Sequence, residues 1–204
     1  MPNRLHRVVL AGAVVSFGAV GIVFAASPGP PASPPTPAAL WQEIQALQHG
    51  NAIMLDSHPF QPGSRVVDVY TTDLANAAAN AAIKAAGSVP AVTRYPPGSL
   101  LVKENYDQAR KRTGVTAELK VAGYDAADRN WVMAAYSPTG KVVAFGKVGS
   151  CIGCHAIVSK ADFVFAPPPT QLLSVSVWKA FFPKQAMSAA YLDLLAKNPQ
   201  AVVK

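Results

Sequence analysis

The chain contains 204 residues, of which 50% are hydrophobic, and it carries a formal net charge of +7 at pH 7. Its basic residues are scattered apart from one cluster at Arg110-Lys111-Arg112, and no nucleic-acid-binding motif accompanies them, so we expect no nucleic-acid partner. The sequence has no internal repeat and no coiled-coil pattern, and its length suits one domain with a substantial core.

The first segment has the pattern of an export signal. Arg4 and Arg7 precede an unbroken apolar run from Val8 to Phe24, which ends in the small residues Ala25 and Ala26. This order is typical of a cleaved signal peptide, so we predict one over residues 1–26 and a periplasmic location. An uncleaved membrane anchor is the alternative, although the run is shorter than the roughly 20 residues that span a bilayer.

A proline-rich stretch separates this segment from the rest of the chain. Residues 27–37 contain mainly Pro, Ser, Ala and Gly, and they offer almost nothing to bury, which is typical of an extended linker. We therefore place the globular domain at residues 38–204.

Hydrophobic periodicity and turn residues predict a mixed succession of elements in this domain. The first half gives a helix over 38–49, a β-rich segment over 65–71, an alanine-rich helix capped by Asp73 and ended by Gly87, and a turn at Pro96-Pro97-Gly98. The second half gives strands over 99–104, 115–121 (half-buried), 131–135 and 141–147, and helices over 172–182 and 185–197. The order predicts an α+β fold, an antiparallel β-sheet with flanking helices.

The motif Cys151-Ile152-Gly153-Cys154-His155 follows the last predicted strand. Its C-x-x-C-H spacing is typical of covalent c-type haem attachment, in which two thiols add to the haem vinyl groups and the histidine binds the iron. Cys151 and Cys154 are the only cysteines in the chain. A redox dithiol, half of a zinc site and a tight disulfide are the alternatives, and the export signal favours haem. We therefore predict one covalent haem c per chain.

Five stretches together carry a family resemblance: Pro97–Glu104, the strand ending at Lys120, Asn130-Trp131, Cys151–His155 and Ala161–Phe165. Their order resembles that of cytochrome P-460 and its relatives, the β-type cytochromes c′, over about residues 65–173. Neither the Gly-x-x-x-Val-Lys-Glu strand nor the late haem motif is specific alone, but the combination is. The resemblance implies a β-sheet with flanking helices, a homodimer, thioether bonds from Cys151 and Cys154, and His155 as the axial iron ligand.

The resemblance also implies a chemistry. In true cytochromes P-460 a strand lysine, which Lys103 matches here, bonds covalently to the porphyrin edge, and the proteins oxidise hydroxylamine. The β-type cytochromes c′ lack that bond and bind nitric oxide in an apolar pocket. Alternation places Lys103 on one face with Leu101 but does not say whether that face meets haem or solvent.

Three functions therefore remain open: a hydroxylamine oxidoreductase that passes electrons to an acceptor redox protein, a nitric oxide-binding protein, and an electron carrier. The carrier needs a sixth iron ligand, for which the sequence offers five candidates. These are His49, Met54, His58, Met133 and Met187, of which Met133 is more typical of core packing. Hydroxylamine oxidation also benefits from a base, and Glu118 and Asp162 are the weak candidates.

Overall fold

The computed structural model describes most of the predicted domain. The described residues are 33–49, 53–54, 70–106, 111–166, 170–181, 183 and 189–203. The predicted signal peptide and most of the β-rich segment predicted at 65–71 lie outside them, so both remain predictions. No helix within the described ranges is long and apolar enough to cross a membrane.

A six-stranded antiparallel sheet forms the centre of the described part of the chain. The strands are β1 (Ile53–Met54), β2 (Tyr70–Ala75), β3 (Leu100–Tyr106), β4 (Arg112–Lys120), β5 (Trp131–Tyr136) and β6 (Val142–Gly146). Each strand pairs with the next one in sequence, so their order in the sheet is the order in the chain. With the helices described below, this confirms the predicted α+β class and the antiparallel sheet.

Successive side chains along β3 and β4 point to opposite sides and divide the sheet into two faces. On one side, Leu100, Val102 and Val115 are buried in a cluster with two residues of α1 (Pro37–His49). We call this side the helix face. Because α1 places Leu40 and Ile44 one helical turn apart and each has no exposed surface, burial of these two side chains alone stabilises the packing by about 3–6 kcal/mol.

The opposite side, which we call the motif face, carries Leu101, Trp131 and Met133. These side chains pack with several further segments of the chain, two of which are helices. One is α2 (Ala77–Ala86) and the other is α3 (Gly149–His155), which contains the C-x-x-C-H motif. The sheet therefore presents one buried face to α1 and the other to the motif.

The predicted cap of α2 is wrong. Asp73 lies inside β2, where it pairs with Lys103, because the ladder with β3 continues to Ala75 and keeps the backbone extended. The helix begins only where the pairing ends, and Asn76 caps it by accepting from the backbone N–H of Ala79 at 3.0 Å. The predicted end is confirmed: Gly87 has a φ of 86°, a left-handed conformation that glycine adopts without penalty.

The C-terminal region is also more divided than the sequence predicts. Leu172 and Leu173 form a short strand, β7, that pairs in parallel with β8 (Val202–Val203), so the helix predicted from residue 172 begins later, as α4 (Val175–Phe181). The second predicted helix is present as α5 (Ala189–Lys197). Buried Leu172 packs with Tyr191 in a small separate cluster, and that contact favours the extended strand over an earlier helix start.

Candidate haem site

The two cysteines of the motif lie on α3, directly after β6. They are three residues apart on a helix, which places them on one side of it, and both are free thiols. Cys154 is buried and Cys151 half-buried. Burial raises the pKa of each thiol, the opposite of the lowered pKa that activates a redox dithiol. The raised pKa values do not favour a reactive redox pair, and the spacing on α3 suits two thiols that attach to one group.

His155 is held in one ring orientation. Its Nδ1 lies 2.7 Å from the carbonyl oxygen of Phe163, and because a carbonyl can only accept, Nδ1 carries the proton. The ring also packs edge-on against Phe165, with 5.2 Å between ring centroids. In the neutral form of the ring the lone pair is on Nε2, which is the arrangement of a metal-binding histidine whose other nitrogen is fixed by an outer acceptor. Two thiols beside such a histidine fit a c-type haem.

A zinc site would need a different set of ligands. No group of three or more His, Cys, Asp or Glu side chains placed to hold a metal ion occurs in the part of the chain that the structure describes. A structural zinc site normally takes four such ligands, so the described residues give the zinc interpretation of the two cysteines no support.

Glu118 lies next to Nδ1 of His155 and not next to Nε2. Its Oε1 is 3.4 Å from Nδ1 of His155, while its buried Oε2 has no hydrogen-bond partner among the described residues. Burial lowers the pKa of His155, but the Glu118 carboxylate and the Phe163 carbonyl outweigh it, and the net shift is upward. Because Nδ1 and Nε2 point away from each other, Glu118 faces the side of the ring opposite to Nε2.

Lys103 lies on the motif face. It shares this face with Leu101, as predicted, while Glu104 points to the helix face, where it accepts from Gln48 and Arg112 at 2.8 Å. The Lys103 side chain is half-buried, and its charge is among the groups that act on the pKa of Cys154 and His155, in both cases lowering it. The lysine singled out by the resemblance therefore lies within electrostatic reach of the motif.

The remaining candidates from the sequence are dispersed. His49 ends α1, which packs on the helix face, so it lies across the sheet from the motif. Met133 is 2% exposed in the core of the motif face, as its predicted packing role requires. The side chain of Met54 and the residues His58 and Met187 lie outside the described part of the chain.

Asp162 is not a free base. Its carboxylate, with no exposed surface, accepts from Nζ of Lys120 at 2.6 Å and from the backbone N–H of Tyr95 at 2.6 Å. The prediction of a half-buried β4 is wrong at this end, because Lys120 is only 5% exposed. The alternation of polar and apolar residues could not reveal this, since the partner carboxylate comes from a segment 42 residues further along the chain.

Comparison with protein families identifies the chain. The family model of Cytochrome P460 matches residues 61–166, just over half of the chain, and this range includes Lys103, Glu118 and the whole C-x-x-C-H motif. No curated protein matches the chain. The chain therefore belongs to the cytochrome P460 family of haem proteins, as its sequence motifs indicated.

Proposed function

We propose that the chain is an exported c-type cytochrome in which Cys151 and Cys154 bind the haem through thioether bonds and Nε2 of His155 binds the iron. Each bond forms by addition of a thiol S–H across a vinyl group, so no atoms are lost and no oxidant is needed. The observation that carries the proposal is the 2.7 Å contact from Nδ1 of His155 to the Phe163 carbonyl, which directs the lone pair of the neutral ring to Nε2 in a helix that also holds two free thiols.

Hydroxylamine oxidation is the activity that this site supports best. A haem bound here would supply a redox-active iron, which Cys151, Cys154 and His155 would hold beside the apolar motif face, and an external redox protein would accept the electrons. The position of Lys103 on the motif face favours the enzyme, because a covalent bond from this lysine requires its strand to lie against the haem edge. The family resemblance is the reason to expect that bond.

The bond from Lys103 has definite chemical requirements. The amine must be deprotonated to offer its lone pair, and formation of a C–N bond removes one hydrogen from nitrogen and one from a porphyrin carbon. The change would be a two-electron oxidation, so maturation would need a two-electron oxidant, such as a peroxide, as co-reactant. Protein matured without one is expected to keep both thioethers but a free Lys103.

Nitric oxide binding is the second candidate. It needs the same thioethers and the same histidine but not the lysine bond, and the apolar side chains of the motif face around Leu101 and Met133 suit a small uncharged ligand. An electron carrier has less support from the described residues, because His49 lies on the helix face and Met133 is packed in the core. We further propose a periplasmic homodimer that donates electrons to a redox protein, as the signal sequence and the resemblance suggest.

A haem-stained denaturing gel tests covalent attachment. The chain is expressed in a host with a c-type maturation system, and we expect the wild-type band to retain haem peroxidase activity after denaturation. Cys151→Ala and Cys154→Ala should each weaken the stain and the double variant should abolish it. Lys160→Ala, an exposed change in the segment that follows the motif, is the control. A wild-type band that loses its haem on denaturation would overturn the proposal.

Peptide mapping separates the two candidate activities. If Lys103 is bonded, its tryptic peptide is missing in free form, the ferrous Soret band lies far to the red, and hydroxylamine is oxidised with an artificial electron acceptor. Lys103→Leu should restore an ordinary c-type spectrum and abolish turnover, whereas Lys141→Leu, at an exposed position, should change neither. Full recovery of a free Lys103 peptide from protein matured with oxidant would eliminate the cross-link and leave nitric oxide binding as the better account.

A further inference from the structure

Two consecutive residues that follow the motif in sequence, Asp162 and Phe163, adopt an unusual backbone conformation. Asp162 has a φ of 55° and Phe163 a φ of 72°, both in the left-handed region that residues other than glycine rarely enter. A bulky aromatic residue is particularly disfavoured there. Such a conformation persists only where the surrounding contacts impose it, so the neighbours of Asp162 and Phe163 decide where this segment lies.

Four contacts impose it, all from other parts of the chain. Lys120 at the end of β4 and the backbone N–H of Tyr95 both donate to Oδ2 of Asp162 at 2.6 Å. The indole N–H of Trp131 at the start of β5 donates to the Asp162 carbonyl at 2.6 Å. Arg129 lies 3.7 Å from Oδ1. We call Asp162 together with Lys120, Tyr95 and Trp131 the Asp162 anchor.

The anchor is rigid because its members also contact each other. The Lys120 ammonium lies 4.5 Å from the centre of the Trp131 ring, and the rings of Tyr95 and Trp131 pack edge-on at 5.7 Å. Lys120 and Trp131 are also direct partners in the ladder between β4 and β5. Asp162 and Trp131 have no exposed surface and Tyr95 only 1%. The anchor therefore ties the segment after the motif to the frame of the sheet.

The carbonyl that fixes His155 belongs to the very next residue. Phe163 follows Asp162 directly, and its oxygen accepts from Nδ1 of His155 at 2.7 Å. Rotation about the backbone of Asp162 would swing this oxygen away from the ring, and Nδ1 would be left with Glu118, whose Oε1 is 3.4 Å away. The orientation of His155 and the nature of its hydrogen-bond acceptor thus depend on the anchor.

We propose that Asp162 is a positioning residue for the iron ligand: through the Asp162 anchor it holds the Phe163 carbonyl against Nδ1 of His155 and so sets the direction of Nε2. The inference rests on the proposed role of His155 as axial ligand. A hydrogen bond to the outer nitrogen of a ligating histidine fixes its ring and raises its basicity. Loss of the anchor is therefore expected to change the strength of the bond from His155 to the iron, although no member of the anchor contacts the iron.

Resonance Raman spectroscopy of the ferrous holoprotein tests this through the iron–histidine stretching band. We expect Asp162→Asn to shift or broaden that band. This single variant leaves the Lys120 ammonium buried without its counter-charge. The double variant Asp162→Asn/Lys120→Met removes that charge as well, and we expect the same shift or broadening of the band. Glu104→Gln is the matched control, since it removes a buried carboxylate from the helix face. It should lower stability and leave the band unchanged.

A second readout does not require haem. Nitrogen-edited NMR on the full chain as purified measures how fast the Nδ1 proton of His155 exchanges with solvent. We expect slow exchange in the native protein and in Glu104→Gln, and faster exchange in both Asp162 variants. If the chain carries no covalent haem, the proposed function fails while this measurement still decides the anchor. An unchanged stretching band in folded haem-bearing Asp162 variants, or unchanged proton exchange, would overturn the proposal.

Discussion

Each face of the sheet contains a buried carboxylate paired with a cation, and the two pairs differ in whether they also act on the motif. On the helix face, Glu104 pairs with Arg112, whose side chain is 32% exposed and reaches the solvent. On the motif face, Asp162 pairs with Lys120, and their side chains are 0% and 6% exposed. The first pair lies across the sheet from His155, whereas the second is one peptide unit from the carbonyl that orients His155.

The difference shows that the same strands serve two purposes through alternate residues. In β3, Leu100 and Val102 pack against α1, while Leu101 and Lys103 face the motif. A polar residue on the helix face only has to satisfy its neighbours. A polar residue on the motif face such as Glu118 also acts on the pKa of a candidate ligand. The following predictions sharpen this contrast in order of expected effect.

The largest effect on stability is expected when the cation of each ion pair is replaced by an uncharged side chain. Lys120→Met leaves the fully buried Asp162 carboxylate without its counter-charge and should reduce the free energy of unfolding by about 3–5 kcal/mol. Arg112→Met should cost only about 1 kcal/mol, because the pair is partly solvated and Gln48 still donates to Glu104. Urea denaturation of the variants measures both losses. Equal losses would show that the two faces do not differ in this respect.

The next largest effect concerns one aromatic residue on each face. Trp131→Phe removes the indole donor from the buried Asp162 carbonyl and leaves a small void, so we expect a loss of about 2 kcal/mol. Tyr136→Phe removes a hydroxyl that donates to the Pro37 carbonyl at 2.8 Å and should cost about 1 kcal/mol. Only Trp131→Phe should alter the His155 environment. Thermal melts compare the losses, and a larger cost for Tyr136→Phe would contradict the ranking.

Glu118→Gln should affect the iron more than the fold. The variant removes a negative charge next to Nδ1 of His155, which destabilises the oxidised iron relative to the reduced iron. We expect the midpoint potential to rise by roughly 40 mV, which for one electron corresponds to a free-energy change on the order of 1 kcal/mol. Redox titration of the holoprotein measures it. Glu104→Gln should leave the potential unchanged, and a fall in potential for Glu118→Gln would be inconsistent with this role.

The smallest effect is expected outside both faces. Lys197 and Asp193 form an exposed pair one turn apart on α5, and their side chains are 70% and 59% exposed. Lys197→Ala should change the free energy of unfolding by about 0.3 kcal/mol, because solvent screens such pairs. The denaturation midpoint of this variant provides the baseline against which the buried pairs are judged. A loss as large as that of Arg112→Met would mean that exposure does not explain the difference.

Local patterns in the sequence were sufficient for strands β3 to β6, the turn at Gly98 and the C-x-x-C-H motif. Alternation and turn chemistry act over a few residues, so the antiparallel sheet and the shared face of Leu101 and Lys103 could be predicted. The cap at Asn76 could not, because β2 continues past Asp73 through pairing with a strand about 30 residues away.

The buried polar groups were not predictable for the same reason. Lys120 has the pattern of a solvent-facing residue at the end of an alternating strand, and only the approach of Asp162 from beyond the motif explains its burial. Glu118 also has the pattern of a surface residue, yet it lies against His155. Contacts between distant segments decide both positions, and a single sequence carries no local signal for them.

The most direct test of the central claim is the intact mass of the mature protein after treatment with a thiol-alkylating reagent. If Cys151 and Cys154 hold the haem, the denatured chain should carry the mass of one haem and no alkyl group. Lys103→Leu should retain that haem. A chain with the mass of the polypeptide alone and two alkylated thiols would contradict the assignment of this site as a covalent haem site.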